Sequence, residues 1–281
     1  HLIECPRDAM QGWHQPISTV DKVRYINALL KVGFHTLDCG SFVSPKAIPQ
    51  MADTASVLSQ LHWKDSETKL LVIVANERGA TQAVQYESIQ YIGFPFSISP
   101  TFQLRNTNST IEESEKRVDE IQSLCQKHNK TLVIYMSMGF GNPYGDPYDE
   151  AILLEWSEKM IAKGIQIMSL ADTVGVAQPD QISTALESLC KKYPEIEWGV
   201  HLHSSDHNWE QKLSAAYHAG CVRFDGAIKG IGGCPMAHDD LVGNMKTEHI
   251  LLFLQDRGHL KALNMDALTE AINIANEIFV P

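Results

Sequence analysis

The sequence predicts an α/β fold of the closed (β/α)8 barrel class, with an extra C-terminal helix. Three observations carry that reading. Eight short apolar runs alternate with longer amphipathic stretches. Most of the runs are continuous and rich in Val, Ile and Leu, as strands buried on both faces are. The chain has 281 residues, close to what one such barrel uses. A doubly wound open sheet is the rival arrangement of the same pattern.

The runs occupy residues 2–5, 36–39, 70–75, 89–94, 131–136, 164–170, 198–202 and 222–227. Helical patterns lie between them. The stretch 18–32 opens on a Ser18 cap, carries Val20, Val23, Ile26, Leu29 and Leu30 at helical spacing, and stops at Gly33. The stretch 111–128 sets Ile111, Val118, Ile121, Leu124 and Cys125 on one face. Residues 148–163 end at Gly164, and 180–193 and 208–219 repeat the form, the latter stopped by Gly220. Residues 174–179 read as a loop, and 247–254 and 266–280 close the chain. No linker or low-complexity tract interrupts the period. A single catalytic domain over residues 1–281 is therefore expected, the first run starting too early for an additional N-terminal domain.

Composition narrows the function. A net charge of -11, from 34 Asp+Glu against 23 Lys+Arg, argues against nucleic-acid and anionic-membrane partners. A local basic pocket for a phosphorylated ligand stays compatible with it. Nothing approaches an 18-residue apolar stretch, so no membrane span is expected. The six cysteines, Cys5, Cys39, Cys125, Cys190, Cys221 and Cys234, form no CxxC pair, and they read as reduced thiols of a cytoplasmic protein.

In a barrel of this class the active site lies at the C-terminal ends of the strands. The residues at those positions are polar. Arg7, Asp8 and Gln11 follow the first run; Asp38 and Ser41 belong to the second; Ser169, Asp172 and Thr173 to the sixth; His201 and His203 to the seventh. The eighth leads into a Gly-rich loop with Cys234 and then to Asn244. His201 and His203 are two apart, so on a strand they share a face. They read either as a pair of metal ligands or as two hydrogen-bonded histidines. Asp8 tilts the balance towards metal, because a carboxylate at the first strand's mouth can reach the same point. Two imidazoles, a carboxylate and an amide oxygen make an open N/O site for a divalent cation. Cys234 reads as a proton-transferring thiol or as a small buried filler. Arg7 reads as half of a surface ion pair or as a fixed guanidinium facing a developing enolate oxygen.

Four stretches resemble the 3-hydroxy-3-methylglutaryl-CoA lyase family. Pro6-Arg7-Asp8-Ala9-Met10-Gln11 resembles its PRDGLQ. Ser41-Phe42-Val43-Ser44-Pro45-Lys46, with Pro49-Gln50-Met51, resembles SFVSPKxxPQM. Ser169-Leu170-Ala171-Asp172-Thr173-Val174-Gly175 resembles SLGDTIG. Gly230-Ile231-Gly232-Gly233-Cys234-Pro235, followed by Gly243-Asn244-Met245-Lys246-Thr247-Glu248, resembles GLGGCP…GNxxTE. The resemblance implies a TIM-barrel lyase of the wider group that includes isopropylmalate and homocitrate synthases and ketoacid aldolases. It implies a cation, Mg2+ or Mn2+, held by Asp8, His201, His203 and Asn244. It further implies Arg7 as the group polarising a thioester carbonyl, Cys234 as the catalytic thiol, and Asp38 where the family commonly has Glu. Gln11 and Ser41 would line the pocket, with Ser169, Asp172 and Thr173 as further substrate contacts. The substrate implied is a small acyl-CoA, and the assembly a homodimer.

The chain departs from the family at four places. Ser204-Ser205-Asp206-His207 replaces Asp-Thr-Tyr-Gly, Gly12-Trp13-His14 replaces Asn-Glu-Lys, Ala9 replaces Gly, and Phe140-Gly141-Asn142-Pro143-Tyr144 replaces GCPYE. These changes bear on the acyl group and the CoA contacts. A Claisen-type condensing enzyme or aldolase on the same Asp8, His201 and His203 is the second reading. A barrel that only binds metal or CoA is the third.

Overall fold

The computed structural model of the protein describes residues 1–233, 243–258 and 262–280. Eight parallel strands close on themselves in sequence order: β1 (Leu2–Glu4), β2 (Thr36–Ser41), β3 (Lys69–Ile73), β4 (Ile89–Ser97), β5 (Thr131–Ser137), β6 (Ile167–Ala171), β7 (Glu197–His201) and β8 (Arg223–Gly226). The closure is direct, Ile3 of β1 pairing with both Thr36 of β2 and Asp225 of β8. The expected barrel is therefore present, and the open sheet is excluded.

Each crossover is helical, because strands that pair in parallel cannot be joined by a tight hairpin. Among the described residues the α-helices are α1 (Pro6–Gln11), α2 (Thr19–Leu30), α3 (Thr54–Leu58), α4 (Glu77–Ala83), α5 (Pro100–Thr107), α6 (Ile111–Lys127), α7 (Glu150–Ala162), α8 (Pro179–Lys192), α9 (Trp209–His218), α10 (Thr247–Gln255) and α11 (Met265–Ile278). Local chemistry sets their starts. The side chains of Ser18, Asn76, Ser99, Asp149 and Asn264 each accept a backbone N–H of the first turn, and Thr110 with Glu113 forms a reciprocal capping box. The extra C-terminal helix α11 packs on α2. The apolar runs locate the strands to within a few residues, with β4 running on to Ser97 beyond the expected 94.

Two apolar layers result. The outer one lies between strands and helices; the inner one fills the barrel with Leu71, Ile73, Tyr91, Val133, Tyr135 and Ile167. The inner layer is not wholly apolar. Tyr135, Ser169, Gly199 and Arg223 stand in register across β5 to β8. Gly199 makes room for its neighbour: a Cβ there would meet the Arg223 stem at 3.0–3.1 Å. Arg223 is fully buried, and its Nη1 donates to Glu197 Oε1 at 3.2 Å.

Candidate active site

The C-terminal ends of the strands open into a cavity of about 290 Å3, lined among others by Arg7, Asp8, Gln11, Tyr135, Thr173, His201 and His203. The segment after β1 is a short helix, α1. Pro6 stands at the N-terminus of α1, where its missing N–H costs nothing. That short helix carries Arg7, Asp8 and Gln11 into the barrel mouth.

Asp8 is the hub. Its Oδ1 accepts from Arg7 Nη1 at 3.0 Å and from Gln11 Nε2 at 2.9 Å, and its Oδ2 accepts from Asn244 Nδ2 at 2.7 Å. Burial pushes the Asp8 carboxyl up, but Arg7, His201, the Asn244 amide and His203 together hold it below the usual carboxylate range. Arg7 is clamped from the other side. Its Nε donates to both Asp38 oxygens at 3.0 and 3.2 Å, and its Nη2 pairs with Asp38 Oδ2. Burial raises the Asp38 carboxyl, and Arg7 only partly offsets it. Asp38 is 1% exposed and does not line the cavity, so in this geometry it holds Arg7 rather than reaching into the pocket.

The two histidines meet the cavity as their spacing implies, although β7 ends at His201. Beyond it His203 forms an isolated bridge with Asn244, and Met245 N donates to Leu202 O at 3.0 Å. The imidazole rings stand 5.5 Å apart at 68°. His201 Nδ1 lies 3.3 Å from Asp225 Oδ2. Burial lowers the His201 pKa, but the Asp225 hydrogen bond and the charges of Asp8 and Asp225 raise it above the ordinary value. Asp225, the carboxylate that faces His201, is a partner that the strand pattern hid: an acidic side chain inside an apolar run was its one signal.

The structure distributes the remaining expected residues as follows. Gln11 and Thr173 line the cavity, the Thr173 hydroxyl accepting from Met138 N at 2.8 Å. Ser41 is buried, its Oγ accepting from Val43 N at 3.2 Å. Ser169 is buried inside the barrel, its Oγ without a hydrogen-bond partner among the described residues. Asp172 does not reach the cavity. Its Oδ1 accepts from Ala177 N and its Oδ2 pairs with the buried Lys212 at 2.8 Å, and Lys212 also donates to the His203 carbonyl. Cys234 lies outside the described residues. On the opposite wall Phe102, Asn106 and Thr107 come from α5, which the periodicity did not mark as helix. Ser99-Pro100, a capping serine followed by proline at the first helical position, was the signal for it.

Asp8, His201, His203 and Asn244 carry the donor types of a divalent-cation site, although the donor atoms of Asp8, His201 and His203 do not all lie within 4.8 Å of one another. Asn244 Nδ2 donates to Asp8 Oδ2 and to the Ile231 carbonyl, which leaves its Oδ1 buried with no partner among the described residues. An orphaned amide oxygen beside an ionised carboxylate and two imidazoles is the donor set of a hard-to-borderline ion.

A closed parallel barrel with buried charge gathered at its C-terminal mouth defines an enzyme of the α/β-barrel class. Comparison with known proteins narrows this. The HMGL-like family model matches residues 4–275, and the chain belongs to that family. It is 31% identical over 266 residues to the hydroxymethylglutaryl-CoA lyase of Bacillus subtilis, covering 95% of this chain and 88% of that one. It is 32% identical over 268 residues to the mitochondrial hydroxymethylglutaryl-CoA lyase of Macaca fascicularis, covering 95% and 82%. Among solved structures it superposes on the Bacillus subtilis HMG-CoA lyase with a TM-score of 0.91 at 29% identity, over 98% of this chain and 92% of that one. An HMG-CoA lyase of Acinetobacter baumannii, in complex with coenzyme A and 3-methylmalate, superposes with a TM-score of 0.90 at 28% identity, over 99% and 90%.

Proposed function

We propose that the protein is a hydroxymethylglutaryl-CoA lyase, cleaving 3-hydroxy-3-methylglutaryl-CoA to acetoacetate and acetyl-CoA. One observation carries the reading. A buried carboxylate, Asp8, is held ionised where a guanidinium, an amide and two imidazoles converge on one cavity. The family membership and the likeness to solved lyases, one of them holding coenzyme A, support the same substrate class.

In this reading Asp8, His201, His203 and Asn244 hold the cation, Mg2+ or Mn2+. When bound, such an ion supplies Lewis acidity that makes the substrate's tertiary hydroxyl easier to deprotonate. Asp8 or His201 is the candidate base, and since either would also hold the cation, the hydroxyl proton would pass to it through a water. The bond between the carbinol carbon and the thioester α-carbon then breaks, leaving a ketone and a thioester enolate. Arg7, fixed by Asp38 and Asp8, keeps further N–H donors for the enolate oxygen. The Cys234 thiol returns a proton to the enolate carbon. Thr173 and Gln11 line the pocket as substrate contacts. No described helix is long and apolar enough to cross a membrane. The five described cysteines are all free thiols, which suits a cytoplasmic setting. We carry the homodimer forward as part of the proposal, to be read by light scattering.

Incubation with 3-hydroxy-3-methylglutaryl-CoA, with mass spectrometry of the products, tests the reading. Acetoacetate and acetyl-CoA in equal amounts, lost on chelation and restored by Mg2+ or Mn2+, are expected. Products only from acetyl-CoA plus a 2-ketoacid would move the chain to the condensing enzymes. Activity that persists without metal removes the cation from the mechanism.

A further inference from the structure

Under the mouth of the barrel lies a second group of donor atoms that the cleavage reaction leaves unused. Cys5, directly after β1, His201 at the end of β7 and Asp225 on β8 each bring a donor atom within 4.8 Å of the other two. Strand register puts them there. His201 and Ile3 both pair with Asp225, and Cys5 extends β1, donating its N–H to the Gly226 carbonyl at 2.9 Å. Two residues beyond Ile3, Cys5 falls on the same face of that strand.

The surroundings favour a cation. Cys5 and Asp225 are 1% and 2% exposed, and Asp225 Oδ1 has no hydrogen-bond partner among the described residues. The contact of Asp225 Oδ2 with His201 Nδ1, at 3.3 Å, is long for a charge-assisted hydrogen bond. Burial first, and then the charges of Asp225, Asp38, Asp8 and Glu4, push the Cys5 thiol well above its usual range, so the bound ion itself must drive loss of its proton. On the positive side, Arg7 is committed to Asp38 and Asp8, and Arg223 Nε stands 4.0 Å from Asp225 Oδ1. His201 lines the cavity and Cys5 and Asp225 do not, so His201 is the member of the group that an ion entering there meets first. One sulfur, one imidazole nitrogen and one carboxylate oxygen form a softer donor set than the oxygen-rich one magnesium prefers.

We propose that Cys5, His201 and Asp225 form a second metal site, which takes a thiophilic divalent cation such as Zn2+ or Cd2+. On binding, the S–H bond of Cys5 is replaced by a sulfur–metal bond and the proton leaves to solvent, one per ion, with no change of oxidation state. The inner ion takes His201 Nδ1, the nitrogen facing Asp225. A neutral imidazole cannot ligate through both nitrogens at once, so the inner ion and the ion at the mouth compete for His201. Inhibition of cleavage as the inner site fills rests on the function proposed above; the binding itself does not.

Co2+ alone, titrated into the whole protein, is the probe, read by its near-ultraviolet sulfur-to-metal charge-transfer band. The band is expected in the parent protein, absent in Cys5→Ala and retained in Cys234→Ala. No band in the parent, a band that survives Cys5→Ala, or one lost in Cys234→Ala instead would overturn the site. If Cys5→Ala does not fold, Asp225→Asn carries the test. The band then persists but needs at least about tenfold more Co2+, and an unchanged midpoint overturns the site. A protein that binds Co2+ in this way yet, assayed separately with Mg2+ or Mn2+ and no Co2+, cleaves no acyl-CoA would sink the lyase reading and leave the site standing.

Discussion

Asn244 donates one side-chain N–H to Asp8 Oδ2 at 2.7 Å and another to the Ile231 carbonyl at 2.9 Å, so its own oxygen is left buried and unpartnered among the described residues. Residues 236 positions apart in sequence are thereby locked together at the barrel mouth. An amide held in this orientation can only present oxygen to the site.

Replacement of Asn244 by alanine therefore removes both a donor to Asp8 and a candidate ligand. Mn2+ affinity, measured by calorimetry, is expected to fall at least about tenfold, the lower end of what losing even an outer-shell partner costs. In the ion-free protein the loss of both donations is partly offset by removal of the unpartnered Asn244 oxygen, so stability should fall by no more than about 1–3 kcal/mol. Unchanged Mn2+ affinity would take Asn244 out of the donor set.

Arg7→Gln tests a role that turns out to be double. Turnover should fall at least about a hundredfold, as the loss of one electrostatic stabiliser typically costs. Stability should fall as well, because Arg7 is the partner of two buried carboxylates, Asp38 and Asp8. Breaking a buried pair by removing one member costs about 3–5 kcal/mol. Asp38→Asn in the same chain should restore much of the stability and none of the turnover. A double variant as unstable as the single one would show that the Asp38 pairing is not what Arg7 supports.

Glu4 gives a pH test. The residue is fully buried between β1 and the segment leading to α10; its Oε1 accepts from Ile228 N at 2.9 Å, and the Thr247 hydroxyl donates to Oε2. Burial raises its carboxyl from 4.5 to about 8, against the two hydrogen bonds. The folded state thus holds a proton that the unfolded chain releases. The contribution to stability is complete below pH 4.5 and is lost as pH rises through about 8. Glu4→Gln mimics the protonated form. In denaturant titrations at several pH values, its stability should decline less than the parent's between those limits. Parallel curves would refute the raised carboxyl.

Much of this was legible in the sequence, and what was not has physical reasons. The eight strands announced themselves because burial on both faces demands unbroken apolar runs. Asp8, His201 and His203 could be placed together because a barrel sends successive strand ends to one mouth. Two kinds of feature escaped. Helices α1, α3, α4 and α5 are too short for a period to register, and two of them, α1 and α5, carry cavity walls. Partners chosen by the fold were also hidden. Asp172 reads as a substrate contact from its position after β6, yet Lys212, forty positions on, claims it. Asp225 reads as part of a strand, yet it faces His201 across the register.

Gly79 offers a prediction about the cavity wall that needs no charged residue. It lies on α4, whose N-cap Asn76 accepts its N–H at 3.0 Å. A Cβ at Gly79 would stand 2.4 Å from the Phe42 carbonyl oxygen, a backbone atom with no rotamer to escape into. Either α4 or the chain after β2 must shift, and Val43, next to Phe42, lines the cavity. Overpacking of this kind costs about 1–3 kcal/mol. Gly79→Ala should therefore melt earlier and show a raised KM for the acyl-CoA with a smaller change in kcat, since Arg7 and Asp8 sit on a different element. A variant with a lowered melting temperature and parent-like KM would mean that α4 absorbs the displacement and the cavity wall does not move.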